Sequence, residues 1–245
     1  MRLSISGSAC QGKSTLINDF LKTWPMYKRS QESYRKAIQT ENIKHSKQAT
    51  KDGQWRILNC LLDDIQATSK DDYIIFDRCS LDNIVYSLWS NAKGDTDIDD
   101  EFIKKCIPLI QQSMHFLDII FFLPITKVSP VTITEKENRE ACPEYIQEID
   151  NIFKVITYGL AQTGASPFFP DEDRPPIIEI FGTPEQRIEM MKLYINSSGD
   201  LIDEGSVFSG GNLEQMEQLL GIQKKVNIEE KEEQKFRNSI IRGIK

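Results

Sequence analysis

No apolar run in this sequence approaches the roughly 20 residues that a bilayer-spanning helix needs, so no membrane span is expected. Histidine is scarce, with only His45 and His115, which excludes a histidine-rich metal centre. Of the five cysteines, Cys10, Cys60, Cys79, Cys106 and Cys142, no two form a CxxC pair. An odd, widely spaced set suits reduced thiols better than a disulfide framework or a zinc site. Positive charge is not in excess either: 30 Lys and Arg stand against 37 Asp and Glu, a formal net charge of −7. An extended nucleic-acid surface requires a clustered surplus of cations, so none is expected, although a few basic side chains suffice to grip one small phosphorylated ligand. Internal repeats are missing. The chain runs into its first motif by residue 7 and leaves no room for a signal peptide, so a cytoplasmic location is the expectation.

What is present fits an ordinary globular protein: 245 residues, 39% of them hydrophobic, enough for one sizeable α/β domain. Leu3, Ser4, Ile5 and Ser6 alternate apolar and polar residues before Gly7, as a short strand does. Helical periodicity follows from Ser14 through Leu16, Ile17, Phe20 and Leu21 and stops before Pro25. Residues 27–35 are read as a second strand and a turn. Trp55, Leu58, Leu61, Leu62 and Ile65 recur at the spacing of an amphipathic helix. Three compact apolar runs, 73–76, 119–123 and 177–181, read as buried strands. Helical stretches are expected over 81–89, 101–116, 143–160 and 184–194, and residues 93–100 form a polar, acidic loop. Strands alternating with helices predict a parallel sheet covered on both faces. Residues 124–142 are polar without a steady period. Residues 228–245, within a charged extension placed at 201–245, are rich in Glu, Lys and Arg and read as an exposed helix or a frayed tail.

The most specific signal is Gly7-Ser8-Ala9-Cys10-Gln11-Gly12-Lys13-Ser14-Thr15, which matches G-x-x-x-x-G-K-[ST]. Its glycines let the backbone wrap closely, so that successive N–H groups and a helix N-terminus face phosphates. Lys13 is expected to reach the β- and γ-phosphates of ATP and the Ser14 hydroxyl to ligate Mg²⁺, with Gly7, Gln11, Gly12 and Thr15 completing the cradle. The motif follows an apolar strand and opens a helix, the context it requires. Cys10 is read as a tolerated small residue, with a redox switch as the alternative. Asp77 closes the run 73–76, where a carboxylate can hold a Mg²⁺-bound water; capping the next helix is its other reading.

Asp77-Arg78-Cys79-Ser80-Leu81-Asp82, followed by Tyr86, resembles the acid-Arg segment of the P-loop nucleoside and nucleotide kinases. That group includes thymidylate kinase, the deoxynucleoside kinases and the deoxynucleoside monophosphate kinase-like proteins of bacteriophages. The resemblance spans roughly residues 1–194. It implies a P-loop NTPase-type α/β/α fold with a mainly parallel five-stranded sheet, a kinase domain over 1–200 and a lid within about 125–145. It further implies that Arg78 touches substrate or transferring phosphate and that Asp82 supports the acceptor site. Glu32 would act as a base toward a hydroxyl acceptor, or Arg35 as a clamp on a monophosphate, unless both lie on a solvated loop. Gln54 and Trp55 are candidates to line the acceptor base, with a core role the alternative for Trp55. Lys136 and Arg139 would supply lid cations, although Glu135, Glu137 and Glu140 flank them and a charged surface helix reads the same. Thr183 and Pro184, in Gly182-Thr183-Pro184-Glu185-Gln186-Arg187, would pack on the adenine of ATP, unless they only start a helix.

The expected activity is therefore transfer of the ATP γ-phosphoryl group to a nucleoside monophosphate. The alternatives are a nucleoside 5′-hydroxyl acceptor and a nucleotide-dependent switch. A GTPase is disfavoured because 122–127 lacks the N/TKxD guanine motif. The expected partner is a small nucleotide or nucleoside acceptor, and a homodimer is possible by resemblance.

Overall fold

The computed structural model of the protein describes residues 1–126 and 142–202. The strands are β1 (Arg2–Ser6), β2 (Lys28–Arg29), β3 (Ile74–Asp77), β4 (Ile119–Phe122) and β5 (Ile177–Glu179). They form one sheet in the order β2-β3-β1-β4-β5, and every pairing is parallel. The helices are α1 (Lys13–Thr23), α2 (Ser33–Thr40), α3 (Lys51–Gln66), α4 (Ser80–Lys93), α5 (Asp100–Met114), α6 (Pro143–Thr163) and α7 (Pro184–Met191).

Because strand side chains alternate between faces, the sheet feeds two cores. Leu3, Ile5, Ile75, Ile119 and Phe121 pack with Leu16, Ile17 and Phe20 of α1 and Ile188 and Met191 of α7. Ile74, Phe76, Ile120 and Phe122 pack the other way, among α4, α5 and α6, with the Phe122 and Phe153 rings stacked at 5.4 Å. The result is the three-layer α/β arrangement that the alternation of elements predicts. No helix among the described residues is long and apolar enough to cross a membrane.

Register decides where the chemistry can sit. Ile5 of β1 lies opposite Asp77 of β3 and Phe121 of β4. The chain leaves β1, β3 and β4 at the same edge of the sheet, where ligands bind in open α/β folds.

The second strand is shorter than expected. Only Lys28 and Arg29 pair with β3; Glu32 then turns with φ 50° and α2 begins at Ser33. The strand reading of 27–35 is corrected accordingly: Tyr34, Ala37 and the partly buried Ile38 form a helical stripe that packs on Ile57, Cys60 and Leu61 of α3. Lys136 and Arg139, expected as lid cations, lie outside the described residues, as do 203–245.

Candidate functional site

Residues 7–12 turn the chain from β1 into α1. Gly12 precedes the helix with φ 78°, a region open to glycine but costly for residues with a Cβ. The Lys13 side chain folds back over the loop, its Nζ donating to the Gly7 carbonyl at 2.8 Å and also to the Ser8 carbonyl. It is 6% exposed. Burial lowers its pKa to about 7, helped by Arg78 and opposed by Asp82 and Asp77.

Asp77 faces this loop from the end of β3. Its Oδ2 accepts from Ser14 Oγ at 3.2 Å and from Arg35 Nη2 at 2.6 Å, whereas its buried Oδ1 has no hydrogen-bond partner. Burial alone would raise its pKa, but Arg35, Lys13 and Arg78 outweigh burial and hold it low. An ionised carboxylate with one unshared oxygen, beside a serine hydroxyl, is the hard-oxygen donor set that suits Mg²⁺.

Two further ion-pair chains border the acid. Glu32 joins Arg29 at 3.0 Å to Arg35 at 2.6 Å. Arg29 also donates to Asn18 Oδ1 at 2.7 Å. On the other side Arg78 donates to Asp82 Oδ1 at 2.8 Å and to the Tyr86 hydroxyl at 3.2 Å. Asp82 accepts from the backbone N–H of Cys79 at 3.2 Å and of Gly7 at 3.4 Å. Asp82 thus caps α4 and ties the acid-Arg segment to the phosphate loop.

The loop opens into a cavity of about 660 Å³. Gln11, Gly12 and Lys13 line its phosphate end, and Arg35 and Arg78 line it further in. The remaining wall comes from α2, α3 and α4, chiefly Tyr34, Gln54, Ile57, Leu61, Asn83 and Tyr86. Asn83 Nδ2 donates to Gln54 Oε1 at 2.6 Å and to the Gln54 carbonyl at 3.0 Å. Asn83 Oδ1 and the Tyr34 hydroxyl are buried without a hydrogen-bond partner. Apolar walls with a few convergent amide and hydroxyl groups suit a flat heterocycle. Among the described non-glycine residues with positive φ, Cys10, Asn42, Ser46 and Arg78 all border this cavity, and such backbone strain concentrates at functional sites.

The structure brings together most of the residues singled out in the sequence: Gly7, Gln11, Gly12, Lys13, Ser14 and Thr15 with Asp77, Arg78, Asp82, Arg35 and Gln54. Glu32 stands behind Arg35 and reaches the cavity only through it. Trp55 is not brought there. Neighbours in a helix point about 100° apart, and with Gln54 on the cavity wall Trp55 packs on Phe102, the ring centroids 6.4 Å apart, under the Lys105 ammonium. Thr183 and Pro184 do not line the cavity either. Thr183 caps α7, accepting from Gln186 N at 3.3 Å and donating its own N–H to Gln186 Oε1 at 2.9 Å. Arg139 lies outside the described residues.

Three participants escaped the sequence reading. Asn83 pairs with Gln54 across two helices, and no local pattern announces that. Arg29 ends the two-residue edge strand β2, inside the stretch read as a strand and a turn, and no motif marks it. Arg187, in α7, is 7% exposed and donates from Nη1 to the Gln11 carbonyl at 2.7 Å, a contact spanning nearly the whole described chain.

The family described as an AAA domain matches residues 2–160. No curated protein matches the chain by sequence. Among solved structures, a deoxyadenosine kinase from M. mycoides with dCMP and a flexible dCDP bound superposes with a TM-score of 0.52 at 16% identity, over 78% of this chain and 97% of that one. The same kinase with dATP gives 0.51 at 17% identity, over 78% and 96%. NadR protein in complex with NR gives 0.50 at 16% identity, over 93% of this chain, and the chain spans 54% of the NadR chain's length. At these identities the likeness establishes a shared fold.

Proposed function

The chain belongs to the AAA-domain family, and on that premise we propose that it is an ATP-dependent kinase for a nucleoside-class acceptor, preferentially a (deoxy)nucleoside monophosphate. The observation that carries this reading is the single cavity that joins the phosphate loop to the wall formed by Tyr34, Gln54 and Asn83. A switch protein needs a nucleotide site alone; a transferase needs room for a second substrate aimed at the first.

Within that cavity each group has a physical task. The loop amides and the α1 N-terminus receive the ATP phosphates. Lys13 turns from the Gly7 and Ser8 carbonyls to the phosphate oxygens. Ser14 and the unshared oxygen of Asp77 would hold Mg²⁺, which supplies charge neutralisation on the phosphates. Arg78, fixed by Asp82 and Tyr86, presents a guanidinium to the charge that develops on the transferring group. Arg35 takes the acceptor phosphate. That the same fold serves a deoxyadenosine kinase holding dATP is in keeping with this reading.

A second reading, a nucleoside hydroxyl as acceptor, draws on a specific observation: Arg35 is already engaged by Asp77 and Glu32, each at 2.6 Å. Incubation with labelled ATP and a panel of nucleosides and monophosphates separates the readings. A labelled monophosphate acceptor is expected, and Arg35→Ala should raise its KM by about ten-fold or more, the worth of a charged hydrogen bond, with the KM for ATP nearly unchanged. A labelled nucleoside whose KM ignores Arg35→Ala would select the hydroxyl reading. Phosphate release that no acceptor alters would refute transfer altogether.

A further inference from the structure

Arg187 is the one side chain from the C-terminal part of the described fold seen to grip the phosphate loop. It leaves α7 one turn after the Thr183 cap and reaches across to α1, donating to the Gln11 carbonyl at 2.7 Å. Its Nη1 also lies against Gly12: a Cβ at that position would stand 3.2 Å from it. The guanidinium is almost fully buried. Burial lowers its pKa, yet an arginine remains charged at any ordinary pH.

The geometry matters because of which peptide is held. The Gln11 carbonyl and the Gly12 N–H belong to the same planar unit, and in a trans peptide they point in opposite directions. The described peptides are all trans. Fixing the Gln11 oxygen toward α7 therefore fixes the Gly12 N–H away from α7, toward the cavity that Gln11, Gly12 and Lys13 line. A cation on the carbonyl also polarises the amide and strengthens its N–H as a donor.

We propose that Arg187 is a positioning residue for nucleotide binding: from behind the loop it sets the Gln11–Gly12 peptide so that the Gly12 amide faces the phosphates. It acts on the nucleotide through that peptide. The proposal rests on residues 7–15 being the phosphate cradle. It adds a second function to α7, whose apolar residues otherwise serve the core beside α1.

The test uses the full chain with Arg187→Met and Arg187→Lys, titrated directly with a non-hydrolysable ATP analogue, inorganic tripolyphosphate and adenosine. Arg187→Met should weaken the ATP analogue and tripolyphosphate by about ten-fold or more, leave adenosine and the acceptor's KM unchanged, and raise the KM for ATP more than it lowers kcat. Arg187→Lys, which keeps a cation and one donor, should restore most of the loss. Equal weakening of adenosine and tripolyphosphate would overturn the proposal, because general damage to the fold does not distinguish phosphate from base. Unchanged binding by Arg187→Met would overturn it too. If Arg187→Met fails to fold, Arg187→Lys decides: an ATP-analogue affinity near that of the wild type supports the proposal, and a loss as large for adenosine as for tripolyphosphate overturns it. Failure of the wild-type chain to bind tripolyphosphate would instead refute the phosphate cradle itself.

Discussion

Lys13 carries a conflict between binding and stability. Its ammonium sits 6% exposed among backbone carbonyls, with Arg78 close enough to depress its pKa further. In the folded chain it titrates at about 7 instead of 10.5. Between those values the unfolded chain holds the proton and the folded chain does not, so this group makes stability rise with pH across that window. Below the folded pKa the buried charge costs the native state its full penalty, a few kcal/mol at about 1.4 kcal/mol per unit. Lys13→Met is accordingly expected to abolish turnover while raising the Tm of the nucleotide-free protein at about pH 6 to 7, the gap closing toward about pH 10. Thermal melts of both proteins across that range are the check. A variant that melts no higher than wild type at neutral pH would show that the carbonyl contacts of Lys13 outweigh its desolvation. The placement of Lys13 at the start of a helix was legible in its nine-residue motif; this cost was not, because it depends first on burial in the folded chain and then on Arg78, some sixty residues away in sequence.

At the scale of elements, the wall opposite the phosphate loop depends on how closely two segments approach. Gly53 lies in the first turn of α3, and a Cβ there would meet the Lys44 carbonyl at 2.8 Å and Ile43 Cγ2 at 2.9 Å. Helix propensity favours alanine by about 1 kcal/mol, but forcing a backbone oxygen aside costs about 1–3 kcal/mol, so the clash wins. Gly53→Ala should therefore destabilise the protein. Because Asn42, Ile43, His45 and Ser46 of the displaced connection line the cavity, it should raise the acceptor's KM and leave that of ATP alone. A stabilised variant, or one whose ATP KM moves instead, would contradict this. The same region explains why α2 was hidden. Its buried stripe is little more than Tyr34 and Ala37, too brief for periodicity, and it is a helix because α3 offers a surface for that stripe. Longer elements, such as α3 with Ile57, Leu58, Leu61, Leu62 and Ile65 buried, announced themselves because whole turns repeat the pattern.

For the molecule as a whole, the layered α/β plan was readable because each buried strand is a compact apolar run. The strand order was not, since pairing partners are set by crossovers that leave no local mark. The site divides along the same line. The Gly7–Thr15 loop and Asp77-Arg78 were visible as strings, while Arg187 on Gln11 and Asn83 on Gln54 exist only after folding. The sheet order also has a dynamic consequence. β1 is flanked on both sides, by β3 and β4, whereas β2 contributes two residues and borders only β3. Local opening proceeds from weakly held edges before a central strand yields. Amide hydrogen exchange should then be slowest in Leu3–Ser6 and much faster in Lys28, Arg29 and α2, and comparable rates in the two regions would disprove it. Breathing of the folded chain is thereby directed to the margin that leads into α2, beside the wall proposed for the acceptor, while the root of the phosphate loop stays shut.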